Sequence, residues 1–225
     1  MTKAGPLVWR TGGGWLVLGG GGEIEALDAT VLSWSNLDQP IAVLPTAGRS
    51  THECEAVLDN YVDLGGPSGL VAPIFTAADA ERNENAQILA ESGLIHLADG
   101  PNAAKLIAAL RESAAQSAMI YAFERGTTIL GMGAGAVAFG AWAHNPTTGE
   151  DERGWGWLPS FIVEPHFTGA ASSDRLQSLL ERHPDCLGLG LPDQTALALG
   201  PDGRVVTLGE GEPTIVVSAA SEDSA

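Results

Sequence analysis

Compact apolar runs alternate along this chain with stretches whose apolar positions recur every three or four residues. Residues 15–18, 40–44, 69–74 and 94–97 are short and rich in Leu, Ile and Val, the signature of buried strands. Between them, Ser50 is placed to cap a helix running through Glu53, Val57, Leu58 and Tyr61, which Gly65-Gly66-Pro67 stops. Residues 77–91, rich in Asp, Glu and Asn, and residues 103–113 read as further helices, and 118–123 closes the helix before a β-rich run at 127–132. Beyond it the pattern predicts an amphipathic helix after 172–174 carrying Arg175, Leu176, Leu179 and Leu180, and a strand at 187–191. A hairpin of 195–199 and 204–208 follows across Pro201-Asp202-Gly203, with a last strand at 214–217. Strands alternating with helices at this spacing imply an α/β three-layer sandwich with a mostly parallel central sheet covered on both faces, closed by a C-terminal β-hairpin. A single domain over 1–225 is expected, with 218–225 a frayed tail.

The connections carry less pattern. The run Gly19-Gly20-Gly21-Gly22 follows the first strand, but Ile24 stands where a dinucleotide fingerprint wants glycine, and Glu23 and Glu25 would repel a phosphate. A tight turn at the sheet edge is the expectation. Residues 144–153 are polar and read as an exposed loop, and Trp155 and Trp157 as satellite core rather than the floor of a ligand pocket. His52 and Cys54 sit two apart on a helix and face different sides, so they do not form a catalytic pair.

The chemistry concentrates in Thr127-Thr128-Ile129-Leu130-Gly131-Met132-Gly133-Ala134-Gly135-Ala136. A strand, a glycine-marked corner and a helix of small residues form the layout of a nucleophile elbow, whose apex is normally Ser or Cys. Here the apex is Gly133, which tolerates the strained backbone but offers no attacking atom. Thr127 and Thr128 lie several residues below the corner, too far to substitute at about 3.3 Å per residue.

Gly131-Met132-Gly133-Ala134-Gly135-Ala136 resembles the G-x-S-A-G-A motif of the serine peptidases related to dipeptidase E and cyanophycinase. Further matches are Leu44-Pro45-Thr46-Ala47, Leu158-Pro159 leading to Pro165-His166-Phe167, and the run from Leu187 through Asp193 to Ala196. The closing Val206-Thr207-Leu208-Gly209-Glu210-Gly211 also fits, so the resemblance covers nearly the whole chain. It implies a flavodoxin-like, class I glutamine amidotransferase-like fold. It also implies His166 as general base toward the apex, Asp193 as the acid that orients the imidazole, and Asp99, Gly100 and Ala134 as the positions of the oxyanion loop and hole. Two departures stand out. Gly133 replaces the serine, and Asp99-Gly100-Pro101 brings a carboxylate and an imino acid without N–H into a loop that should offer free amides. Asp193, one methylene shorter than the glutamate usual there, has a shorter reach; without the resemblance it reads as a turn residue after Pro192.

Composition narrows the functions. A formal net charge of -17, with 11 Lys and Arg against 28 Asp and Glu, disfavours nucleic acid and anionic membrane surfaces as partners. Cys54 and Cys186 show no metal or disulfide spacing. No run of eighteen apolar residues and no signal-peptide pattern occurs, so a cytoplasmic protein is expected. The expectation is therefore a catalytically degenerate peptidase homologue, without metal or cofactor, that binds a small peptide-like or amino-acid-like ligand or a partner, with a homodimer as a further possibility. The alternatives are an active hydrolase of short acidic or β-aspartyl peptides by a non-standard mechanism, and a glutamine amidotransferase-like accessory protein.

Overall fold

The computed structural model describes residues 7–22, 24, 26–169 and 173–218. Glu23, Glu25, Ser172 and the expected tail from 219 onward lie outside them. The first strand, β1 (Leu16–Gly19), is followed by α1 (Leu27–Ser33), β2 (Ile41–Leu44), α2 (Thr51–Asp63), β3 (Gly69–Val71), α3 (Ala77–Ala80), α4 (Asn83–Ala90) and β4 (Leu94–Leu97). Then come α5 (Ala103–Leu110), α6 (Ala114–Glu124), β5 (Thr128–Met132), α7 (Ala134–Val137), β6 (Trp142–His144), β7 (Asp151–Arg153) and β8 (Phe161–Pro165). The chain closes with α8 (Asp174–Arg182), β9 (Leu187–Leu191), β10 (Thr195–Leu199), β11 (Val205–Gly209) and β12 (Thr214–Val216).

Seven strands form the main sheet in the order β11-β10-β1-β5-β4-β2-β3. The five from β1 to β3 in that order run parallel, and the hairpin β10–β11 is added antiparallel to β1. Because side chains alternate across a strand, each parallel strand feeds both faces. Leu16, Leu18, Ala42 and Leu44 enter one apolar cluster with Leu89, Leu106, Leu110, Met119 and Phe123 of α4, α5 and α6. Val17, Ile41 and Val43 enter the other with Leu27, Val31, Cys54, Leu58 and Tyr61 of α1 and α2. Those are the three layers expected from the sequence. A smaller sheet, β12-β9-β8, packs Phe161, Val163, Leu189 and Leu191 into the first cluster.

Three local expectations need correction. The helix expected over 77–91 is two helices, because the buried Asn85 amide donates to the carbonyls of Pro73 and Asp79 (3.2 and 2.8 Å) and ends α3 there. Residues 118–123 do not close the helix begun at 103: Glu112 takes a left-handed backbone (φ 56°) and Ser113 caps a new helix through the Gln116 amide. Residues 144–153 are no plain loop: they hold the end of β6, a turn and all of β7, a hairpin in whose turn the Asn145 side chain accepts from the Thr147 and Thr148 amides.

Candidate functional site

Parallel strands end together at the register that pairs Gly19 with Met132 and Leu97 with Gly131. Loops leaving the carboxyl ends of β1, β4 and β5 therefore meet over one edge of the sheet, the place where α/β sheets bind ligands. Gly133 turns the corner at φ 49°, ψ -112°, with its amide donating to the Gly19 carbonyl (3.0 Å). Below it, Gly131 lets α7 approach, since a Cβ there would meet the Gly135 carbonyl oxygen at 2.7 Å. Thr127 and Thr128 are buried and spend their hydroxyls on the Ser92 and Trp34 carbonyls, away from the corner.

Opposite the corner, the small sheet delivers His166 directly after β8. The His166 amide donates to the Gly20 carbonyl (2.8 Å) and the Gln194 amide to the Gly21 carbonyl (2.9 Å), so the glycine run seats both halves of a His–Asp pair. His166 Nδ1 lies 2.6 Å from Asp193 Oδ1. A carboxylate only accepts, so Nδ1 carries the proton and Nε2 faces the cleft. Aspartate thus reaches despite its shorter side chain. His166 is held at φ 53°, a left-handed conformation uncommon outside glycine. The tight turn expected at Gly19–Gly22 exists for this contact: a Cβ on Gly21 would fall 2.5 Å from His166 Nδ1 and 2.8 Å from Asp193 Oδ1.

Asp99 decides the character of the site. Its Oδ1 accepts from the Gly100 amide (2.7 Å) and from the Ala134 amide (2.9 Å), one donor from the loop after β4 and one from the residue after the apex. Its Oδ2 stands 3.6 Å from His166 Nε2, an ion-pair distance longer than a hydrogen bond. A Cβ built on Gly133 would lie inside this carboxyl group, 2.6 Å from Oδ2 and closer still to Oδ1 and Cγ. Both expected departures of the loop, the imino acid Pro101 and the carboxylate of Asp99, lie at this spot. Pro101 is not needed as a donor, because Gly100 and Ala134 supply two amides and the Asp99 carboxylate covers them.

Beside these residues a pocket of about 170 Å³ opens between Pro101, Val137, Trp142, Glu164 and Arg175. Glu164, buried at 8% exposure, accepts from Arg175 through Nε (3.2 Å) and Nη2 (2.7 Å) and from Ser173 Oγ (3.2 Å). Trp142 stacks on His183 with ring centroids 4.0 Å apart. Asp151 clamps that wall by accepting from Arg182 (2.7 Å) and pairing with His183 (2.9 Å); the Arg182 hydrogen bond holds its carboxyl below the usual range against the opposing effect of burial. Trp155 and Trp157 pack on Phe139 in the core, as expected, and not in the pocket. Glu164, Arg175, Gly21 and Trp142 escaped the sequence reading as site residues; the glycine run was the one visible signal for any of them. Among the described residues no group of three or more His, Cys, Asp or Glu is disposed to hold a metal ion, and no helix is long and apolar enough to cross a membrane.

The family model of Peptidase family S51 matches residues 15–206. The chain belongs to peptidase family S51. Among S51 relatives, a cyanophycinase from Synechococcus elongatus is 30% identical over 191 residues, covering 80% of this chain and 59% of its own length. One from Geminocystis herdmanii (strain PCC 6308) is 25% identical over 193 residues, covering 80% and 70%. The chain spans about three fifths of the length of the first of these. Among solved structures, a peptidase from an acI-B1 Actinobacterium superposes with a TM-score of 0.70 at 20% identity, covering 92% of this chain and 95% of that one. A peptidase E candidate from Listeria monocytogenes EGD-e does so at 0.63 and 16% identity, covering 88% and 99%. The fold is thus shared with both solved structures at low identity, and in this chain the residue at the corner is Gly133.

Proposed function

We propose that this S51 protein is a catalytically degenerate peptidase homologue that uses the cleft at Gly133, His166 and Asp193 to bind a small peptide-like or amino-acid-like ligand. The observation that carries the reading is the glycine at the elbow apex: acyl transfer through the enzyme needs an oxygen or sulfur nucleophile within reach of the base, and Gly133 has none. The adjoining pocket, about 170 Å³, is below the roughly 300–1,000 Å³ common for drug-sized ligands and suits an amino-acid side chain or a dipeptide end. The Arg175 guanidinium, anchored on buried Glu164, supplies a fixed cation at its wall. A second reading is favoured by the His166–Asp193 contact at 2.6 Å, which would let the imidazole activate water against a bound amide.

Incubation of the full chain with aspartyl and β-aspartyl dipeptides separates the two. The expected outcome is no amine release above the uncatalysed background, together with a rise in melting temperature for a subset of dipeptides or amino acids, as mass action requires of a bound ligand. Turnover by the unaltered protein would overturn the degenerate reading in favour of the second.

A further inference from the structure

The geometry points to Asp99 as a resident occupant of the anion hole: its carboxylate fills at once the place of the missing apex side chain and that of a substrate oxyanion, so that the cleft is a latent acyl-transfer site closed from within. This rests on the reading of the cleft as an emptied S51 hydrolase site.

Three features of the site converge on it. An oxyanion hole holds developing charge with two amide donors at about 2.7–3.1 Å. Asp99 Oδ1 has two such donors, Gly100 and Ala134, at 2.7 and 2.9 Å, from segments 34 residues apart. The carboxylate also carries the charge that such a hole is built to accept, and its second oxygen faces the imidazole nitrogen that would serve an attacking hydroxyl. Finally, the Asp99 carboxyl and any Cβ at position 133 claim the same volume. Glycine at the apex and aspartate in the loop are therefore two parts of one change. A ligand carbonyl entering this cleft meets a filled hole and a like charge, and restoring the hydroxyl alone leaves the hole occupied or forces the carboxylate out of it.

The test uses the full chain in four forms: unaltered, Gly133→Ser, Gly133→Ser with Asp99→Ala, and Gly133→Ser with Asp99→Asn. Each is incubated with a fluorophosphonate and followed by intact mass, with circular dichroism melting to establish the fold. In the labelling step the new hydroxyl oxygen attacks phosphorus, fluoride leaves, and the hydroxyl proton passes to His166 Nε2. The expected order is no adduct on the unaltered chain and an adduct on the Asp99→Ala double variant formed about 100-fold faster than on Gly133→Ser alone. The Asp99→Asn double variant is expected to stay as slow as the single one, because the amide oxygen still fits both donors. Equal labelling of Gly133→Ser and the Asp99→Ala double variant overturns the proposal, and so does an Asn variant as fast as the Ala one, which would make the block a matter of charge alone.

A second measurement needs no apex substitution. Asp99→Ala, with both donors uncovered, is titrated with acetate while the Gly100 and Ala134 amide signals are followed by NMR. Saturable shifts in the variant and none in the unaltered chain support occupancy; identical behaviour of the two overturns it. If no variant is labelled while acetate binds Asp99→Ala alone, occupancy stands and the reading of the cleft as an emptied hydrolase site falls.

Discussion

The two banks of the cleft are built in opposite ways. On one, His166 and Asp193 form a tight polar pair at 2.6 Å, seated on the glycine run by the His166 amide bonded to the Gly20 carbonyl and the Gln194 amide bonded to the Gly21 carbonyl. On the other, the corner is turned by Gly133, which has no side chain, and the Asp99 carboxylate from the neighbouring loop occupies the space where a Cβ would stand. The contrast teaches that backbone geometry and reacting atoms are fixed by different things. The corner is held by the β1, β4 and β5 register and by close approach of small residues, whereas the reacting atom depends on one side chain.

The largest expected effect lies on the bank of His166 and Asp193. Gly21→Ala places a methyl group against His166 and Asp193 at a backbone φ of 128°, so a loss of about 3 kcal/mol in chemical unfolding is expected, from strain and from displaced packing together. A loss under about 0.5 kcal/mol would show that the glycine run does not seat the pair.

Next in size is a pH effect that belongs to neither bank. His96, in β4, is buried against Tyr61, its Nδ1 3.0 Å from the tyrosine hydroxyl. Burial, with a smaller contribution from Arg49, pushes its pKa down to about 3. Its folded pKa lies below the unfolded value near 6.5, so the unfolded chain binds the extra proton first as pH falls. Its contribution is complete above about pH 6.5 and is lost progressively toward pH 3, amounting to about 2 kcal/mol between pH 7 and pH 5. Equilibrium unfolding at both values checks this against His96→Gln, in which that part of the slope disappears. A His166→Gln variant that removed the slope instead would shift the sensitivity to the site.

The smallest effect is the most specific to the comparison. Gly133→Ala is expected to cost more in the presence of Asp99 than in an Asp99→Ala background, with a coupling of about 1 kcal/mol in a double-mutant cycle. Additive costs would mean that the two positions do not share space.

Much of the fold was legible in the chain because local rules suffice for it. Ser50 caps α2 with Glu53 completing the reciprocal pair, the Pro201-Asp202-Gly203 turn joins β10 to β11, and β1, β2 and β4, apolar apart from His96, declare a sheet covered on both sides. The break between α3 and α4 was not legible, since it depends on the Asn85 amide reaching two carbonyls outside its own helix. Glu164 and Arg175, 11 residues apart, share no local pattern that announces a pair in which Nε reaches Oε2 and Nη2 reaches Oε1.

At the site the division is sharper. The sequence alone determined that the corner carries no nucleophile, because that is a matter of residue identity, and it marked His166 and Asp193 by their place in the motif. Only the tertiary structure decided what fills the space beside Gly133. Whether Asp99 points to solvent or into the hole depends on two loops meeting across the sheet edge, with the Ala134 amide waiting 35 residues further along the chain. A side chain's direction is set by the groups around it, and those are assembled only when β4 and β5 lie side by side.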